Sequence, residues 1–359
     1  MYAKGLKGII AAETSLSYID GNKGELIYRG TPVHDLAIQS SFEEVAYFLW
    51  YGVMPTKEQL NELTLKMRND RILPAYIKEI LALLPLDLSL MDVLRTVISS
   101  LVPGTNFKKP TIEEAIRITA IMPTVIAYRY RQHEGLTPIE PKNEYSHVAN
   151  YLYMLNGQKP EKSHVGALET YMILTMEHGM NASTFSARVT ASTESDLISA
   201  VTSAIGTMKG PLHGGAPTGV LDLLDEIEYD LNAEPVIREK LNRNEKLMGF
   251  GHRVYRTNDP RAIALKEKLL KMNSDDPWLK LALHVEEIAI HLLEEFKPGR
   301  KLMTNVEFYA AAIMRAIKMD PALFTPTFSA SRTVGWTAHI IEQANNNTIF
   351  RPQSLYVGK

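Results

Sequence analysis

The 359-residue chain contains no cysteine. That absence removes disulfides, a thiolate nucleophile and any cysteine-ligated metal site, and it suits a reducing compartment. An excess of one charge is missing too: 39 Lys and Arg face 41 Asp and Glu, a formal net charge of −2. Nucleic-acid and membrane-surface binders want a basic excess, so neither partner is expected. No apolar stretch approaches the ~20 residues that span a bilayer. The N-terminal run in MYAKGLKGIIAAETSLSYID is too short for a signal-peptide core and breaks at Glu13, which makes the cytoplasm the expected location. There is no GxxxxGK[ST], no HExxH and no GxGxxG after a strand. A phosphate loop, that zinc motif and a dinucleotide fingerprint are therefore set aside. Internal repeats and low-complexity segments are also lacking.

What is present is helical. Ser41-Phe-Glu-Glu44 reads as a capping box opening SFEEVAYFLWYG, closed by Gly52, and Thr111-Ile-Glu-Glu114 opens TIEEAIRITAIMPTVIAYRYR in the same way. Asp196 can cap LISAVTSAIGTM. Apolar residues recur at three and four in VLRTVISSL, ALETYMILTM, LALHVEEIAIHLLEEF and FYAAAIMRAI. Strand signals are few, the clearest being SLSYIDGNKGELIYRG, which alternates around Asp20-Gly21 and Gly24 like a hairpin. The expectation is a mainly α protein with a small N-terminal β element. Polar, Pro-bearing breaks fall near 103–110, 137–145 and 156–164, and the stretch GPLHGGAPTG, 210–219, is the best candidate for a hinge.

Four segments can carry chemistry: Glu177-His178-Gly-Met-Asn181-Ala-Ser-Thr184; GPLHGGAPTG around His213; Lys246-Leu-Met-Gly-Phe-Gly-His252-Arg-Val-Tyr-Arg256 continuing to Asp259-Pro-Arg261; and Thr304-Asn-Val-Glu307-Phe-Tyr. Arg332 and Arg351 follow near the C-terminus. Each has a plain alternative: a helix-capping histidine, an incidental turn, a first-turn acid, a surface arginine. A three-histidine metal site stays open but nothing favours it. His34, His284 and His339 read as structural or surface residues. Together, loop histidines, loop arginines and one acid without a metal motif suit an anionic carbonyl substrate. Guanidinium forks bind carboxylates, neutral imidazoles polarise a carbonyl, and a carboxylate removes a neighbouring proton.

These segments resemble the citrate synthase family, and the likeness runs from GLKGI…ETSLSYIDGNKGELIYRG through EHGMNAST, KGPLHGGAP, GFGHRVYR…DPR and NVEFYAA to FRPQS. Length and spacing resemble the shorter bacterial and archaeal branch, which includes 2-methylcitrate synthases. The resemblance implies a two-domain, nearly all-α fold, with residues 1–214 and 316–359 forming a large domain and 215–315 a small one, in a tight homodimer. It implies an acyltransferase that condenses acetyl-CoA with oxaloacetate and then hydrolyses the citryl thioester, with no cofactor and no metal.

By the same resemblance, His178 and His252 hold oxaloacetate, His252 at its carbonyl. Arg261 and Arg332 bind its carboxylates, and Arg351 crosses from the partner subunit. His213 stabilises the enol of acetyl-CoA, and Glu307 is the catalytic base. The backbone of Leu247, Met248, Gly249, Phe250 and Gly251 meets the adenine of CoA, and Arg256 a CoA phosphate. On this reading the glycines beside His213 give the thioester close access. One departure stands out: the family usually has NVDFYSG where this chain has NVEFYAA. The acid is longer by one methylene, and a misplacement of about 1 Å can cost roughly a hundredfold in rate. Propionyl-CoA as acyl donor, and a slow or non-catalytic paralogue that binds oxaloacetate or CoA as a sensor, are the rival expectations.

Overall fold

Glu342 and Ser15 lie at opposite ends of the sequence and touch, because the last long helix runs through the middle of the molecule. The computed structural model describes residues 3–101, 109–214, 218–273 and 276–358. Among them are sixteen α-helices and one three-stranded sheet. The expected break near 103–110 and the centre of the 210–219 stretch fall largely outside the described residues. The other two breaks are loops, at 137–145 and 157–161.

Local signals are met where they were read. Ser41 Oγ accepts from Glu44 N at 3.3 Å while Glu44 Oε2 accepts from Ser41 N at 2.7 Å. Thr111 and Glu114 make the same reciprocal pair, and Asp196 accepts from Ser199 N at 2.8 Å. An unforeseen third box, Thr56 with Gln59, opens Lys57–Asp70. The hairpin is an antiparallel meander of β1 (Ser17–Asp20), β2 (Glu25–Tyr28) and β3 (Thr31–Pro32), with Ser17 opposite Tyr28. Asp20 Oδ1 ties its turn by accepting from Asn22 N and Lys23 N.

The helix Phe324–Asn345 is buried on nearly every face from Phe324 to Ile340. It packs against Ile112–His133, Lys162–Thr175, Ala182–Ser192 and Leu197–Met208. Its sequence, TFSASRTVGWTAHII, carries no apolar stripe. Small hydroxyl residues let its neighbours approach closely; Thr325, Thr327 and Ser331 bond across to Gly214, Tyr151 and Met172, and others bond within the helix. Ser329, Thr333 and Thr337 donate to carbonyls four residues back at 3.0, 2.8 and 2.8 Å, so burial leaves these hydroxyls without a desolvation penalty.

The segment 218–316 supplies the other wall of the site. Thr218–Ile227 packs on Ala233–Asn242, Pro277–Phe296 and Val306–Ala316, and Pro260–Asn273 lies between Val306–Ala316 and Lys162–Thr175. The residues that lead into these helices are thereby brought to face His178. No described helix is long and apolar enough to cross a membrane.

Candidate active site

His178 sits just after Lys162–Thr175 and before Ala182–Ser192, whose cap is Asn181. The turn is held from behind. Tyr28 OH donates to Glu177 O at 2.8 Å and accepts from Glu177 N at 3.1 Å. The His178 ring reaches Tyr255, with Nε2 3.1 Å from the hydroxyl, and stands edge-on to His252 at 5.5 Å between centroids. Two motifs 74 positions apart in the chain thus meet. Burial, then Arg261, His252 and Arg332, holds His178 well below the usual histidine range, so it is neutral.

His252 has a defined tautomer. Its Nδ1 accepts from Val254 N at 3.0 Å and Tyr255 N at 3.2 Å. A backbone N–H can only donate, so in the neutral ring the proton resides on Nε2. Arg261 Nη2 lies 3.4 Å from that same Nε2. Both atoms carry hydrogen, so the pair converges on one space, an arrangement suited to an anionic oxygen. Burial, then Arg261, lowers His252 to about 4. Asp259 grips Arg261 with both oxygens, at 3.0 Å from Nε and 2.8 Å from Nη2, and Oδ2 also accepts from Val306 N at 3.2 Å. One buried carboxylate therefore links the arginine to the first turn of the helix bearing Glu307.

Arg332 is buried in the central helix. Its Nε donates to Thr175 O at 2.6 Å, and its guanidinium lies 4.7 Å from the centroid of Phe328. No hydrogen bond joins its Nη atoms to a described residue, which leaves the fork for a ligand. Burial lowers its pKa to about 10, and the nearby Glu177 opposes that shift.

His213 is anchored to a different element. Ser183 N donates to its Nε2 at 3.2 Å, and Ser183 Oγ is 2.7 Å away. The neutral proton is then on Nδ1, the nitrogen facing away from this anchor. Ser183 Oγ accepts from Trp336 Nε1 at 2.9 Å and lies 2.8 Å from Asn181 Oδ1, so its single proton is shared between that oxygen and the Nε2 lone pair of His213. Burial, then Arg332, lowers His213 to about 4. His213 joins Ser183 instead of the other two histidines. Among the described residues no group of three or more His, Asp or Glu is placed to hold a metal ion.

Glu307 occupies the first turn of Val306–Ala316, where its N–H donates to the Asn305 cap at 2.9 Å. Burial raises its pKa, opposed first by Lys246 and then by Arg261. Ala310 and Ala311 are buried behind it. The Leu247–Gly251 loop is stitched to the chain just ahead of this helix. Gly251 N donates to Met303 O at 2.7 Å, Asn305 N to Gly249 O at 2.9 Å and Asn305 Nδ2 to Gly251 O at 2.9 Å. Gly249 has φ +87°, and a Cβ there would lie 2.8 Å from the Phe308 ring, so no other residue fits. Arg256 is exposed, and its N–H donates to Gly21 O at 2.7 Å, setting the hairpin tip on this loop.

Arg351 lies apart. It is exposed on the C-terminal tail and lines a cavity of about 600 Å³ with Ser15, Arg188, Glu342, Gln343 and Phe350. Glu177, Ser183, Tyr255, Asp259 and His339 are contact residues that motif reading did not single out. Glu177, Ser183, Tyr255 and Asp259 stood inside quoted segments without an assigned role, whereas His339 carried no local signal and reads from sequence as structural or surface.

The family model for the citrate synthase C-terminal domain matches residues 5–353. Citrate synthase 2 of Bacillus subtilis is 40% identical, over 99% of this chain and 95% of its own. A 2-methylcitrate synthase of Mycobacterium tuberculosis is 41% identical, over 99% and 90%. The citrate synthase of Thermoplasma acidophilum, solved as a ternary complex with carboxymethyl coenzyme A and oxaloacetate, superposes with a TM-score of 0.91 at 29% identity, covering 100% of this chain and 97% of that one. With matches that span the whole helical frame and every segment of the site, the chain belongs to the citrate synthase family.

Proposed function

We propose that this site condenses acetyl-CoA with oxaloacetate and hydrolyses the resulting citryl thioester, giving citrate and CoA. The observation that carries the reading is the pair of assigned tautomers. His252 and His213 each have one ring nitrogen occupied by a backbone N–H, and each is held neutral, so each offers a single N–H in a fixed direction. Glu307 takes a proton from the acetyl methyl group while His213 Nδ1–H donates to the enolate oxygen. The enol carbon then bonds to the ketone carbon of oxaloacetate, whose oxygen receives the Nε2–H of His252 beside Arg261. Arg332 takes a carboxylate. Water cleaves the thioester, and the CoA sulfur leaves as thiol. No cofactor enters the scheme, because the CoA thioester is a substrate. Gly249 O and the N and O of Gly251 are already bonded within the protein, so the other backbone groups from Leu247 to Phe250 are the ones left for CoA, with Arg256 at a phosphate.

In this reading the segment 215–315 moves as a small domain, and closure excludes water. Arg351, remote from its own cluster, completes the site of a second subunit in a homodimer working in the cytoplasm. Propionyl-CoA is the second reading, favoured by the similar identity to a citrate synthase, 40%, and a 2-methylcitrate synthase, 41%. One methylene is worth only ~1–3 kcal/mol in a pocket, so kcat/KM must be compared for the two thioesters side by side. Thiol release that requires oxaloacetate confirms the reaction class, and its absence with both thioesters ends the proposal. Mixing inactive His213→Ala and Arg351→Ala subunits tests the crossed site: exchange should restore activity, because one site of each heterodimer is intact.

A further inference from the structure

We infer that Glu177 is a positioning residue for the oxaloacetate end of the site and that His339 holds it there. The inference rests on the reading of His178 and Arg332 as oxaloacetate ligands. The Glu177 side chain is fully buried. Its Oε1 accepts from Ser17 Oγ at 2.8 Å, from Gly179 N, and from His339 Nε2 at 3.0 Å. By folding back onto Gly179 N–H, the carboxylate closes the turn that has His178 at its apex and turns that ring toward Tyr255 and His252.

His339 is equally fixed. Arg188 Nε donates to its Nδ1 at 3.0 Å, so Nε2 bears the proton that Glu177 receives. Arg188 in turn donates to Gln343 Oε1 at 2.9 Å and pairs with Glu342, whose Oε1 accepts from Ser15 N at 2.8 Å. A continuous polar chain thus joins the start of the hairpin and the end of the central helix to the substrate histidine. Room for it depends on Gly335, where a Cβ would stand 2.3 Å from Met176 O and 2.6 Å from Glu177 Oε2. That Oε2 has no hydrogen-bond partner among the described residues. Its charge acts instead through space on Arg332, offsetting a buried guanidinium before a dicarboxylate arrives. Burial alone would raise the pKa of Glu177, but His339, Arg332 and Ser17 together hold it down, so it is ionised.

The test compares full-length variants by steady-state kinetics. Glu177→Ala is expected to raise KM for oxaloacetate by roughly tenfold to a hundredfold, the loss of hydrogen bonds to a charged group, with KM for acetyl-CoA changed by less than about threefold. Glu177→Gln, which keeps an acceptor for Gly179 and His339, should recover at least about half of that loss on a logarithmic scale. An unchanged oxaloacetate KM, equal loss for both substrates, or a Gln variant as poor as Ala each overturns the inference. If Glu177→Ala does not fold, Ser17→Ala decides: about a threefold to tenfold rise in oxaloacetate KM alone is expected for one lost hydrogen bond, and no rise overturns it. His178→Ala is the control on the underlying reading. If it leaves oxaloacetate KM unchanged, the ligand assignment fails; if it raises it while Glu177→Ala does not, only the positioning role fails.

Discussion

His178, Arg261 and Arg332 are buried in the helical frame, the first two against side-chain partners, whereas Glu307 and the Leu247–Gly251 loop are tied chiefly through backbone and His213 through the one residue Ser183. Arg261 has both oxygens of Asp259. The turn at His178 has Tyr28, Ser17 and Glu177 behind it. On the other side, His213 has Ser183 and a loop, and Glu307, among the described residues, is tied by its N–H to the Asn305 cap. On the proposed assignment, the difference follows from what each half would do. A dicarboxylate can be met by charges fixed in advance, since little of its geometry changes on binding. The thioester has to enter, lose a proton and later meet water, and a loop-built half can open and close around it.

The sharpest way to break this division is to remove one group from the proposed thioester half. Glu307→Gln keeps shape but cannot accept a proton. General base catalysis is worth ~10²–10⁴-fold, so kcat should fall that far while oxaloacetate affinity, measured by calorimetry, stays near wild type. A variant retaining more than about a tenth of wild-type kcat shows that the base lies elsewhere.

The matching change in the fixed half is Arg261→Leu. Truncating one partner of a buried charge pair costs ~2–5 kcal/mol, and here Asp259 would also be left uncompensated at the foot of the Glu307 helix. KM for oxaloacetate should rise far more than KM for acetyl-CoA. A selective rise in the acetyl-CoA value would reverse the assignment of the two halves.

The two regions also differ in how far they could be read before the fold was known. Ligand-facing residues lie in short local motifs, and the caps and hairpin are signals within a few residues of one another. The supporting contacts are not local. His339 meets Glu177 across 162 positions and Trp336 meets Ser183 across 153. Nothing in TVGWTAHII marks Gly335 as the point where the Met176–Glu177 backbone crosses. The helix carrying Arg332 is buried all round, so it has no polar face whose alternation would disclose it. The role proposed for Arg351 rests on resemblance alone, because within one chain it lies apart from the other site residues.

A smaller effect is expected from Glu307→Asp. The segment NVEFYAA carries Ala310 and Ala311 in place of the family's Ser-Gly, and both are packed in the core. If the backbone has adjusted to the longer acid, the aspartate should lose reach and lower kcat about tenfold or more. A rise in kcat would mean that the frame still suits the shorter side chain and that Glu307 itself is misplaced.

The smallest effect is one of pH, and its sign separates the halves without mutation. Glu307 must be ionised to accept a proton, and burial raises its pKa despite Lys246 and Arg261. Activity should therefore fall as pH drops through a value above the ordinary carboxylate range, and be fully present above it. His213 and His252 are lowered to about 4, below the ordinary carboxylate value that Glu307 is raised from, so the upper part of that limb belongs to Glu307. That part of the acid side of kcat/KM for acetyl-CoA should then follow a single ionisation. A steeper limb would place a histidine titration within it. Activity that increased as pH fell below 6 would mean the imidazoles work as cations, and the tautomers deduced from Val254, Tyr255 and Ser183 would not describe the working site.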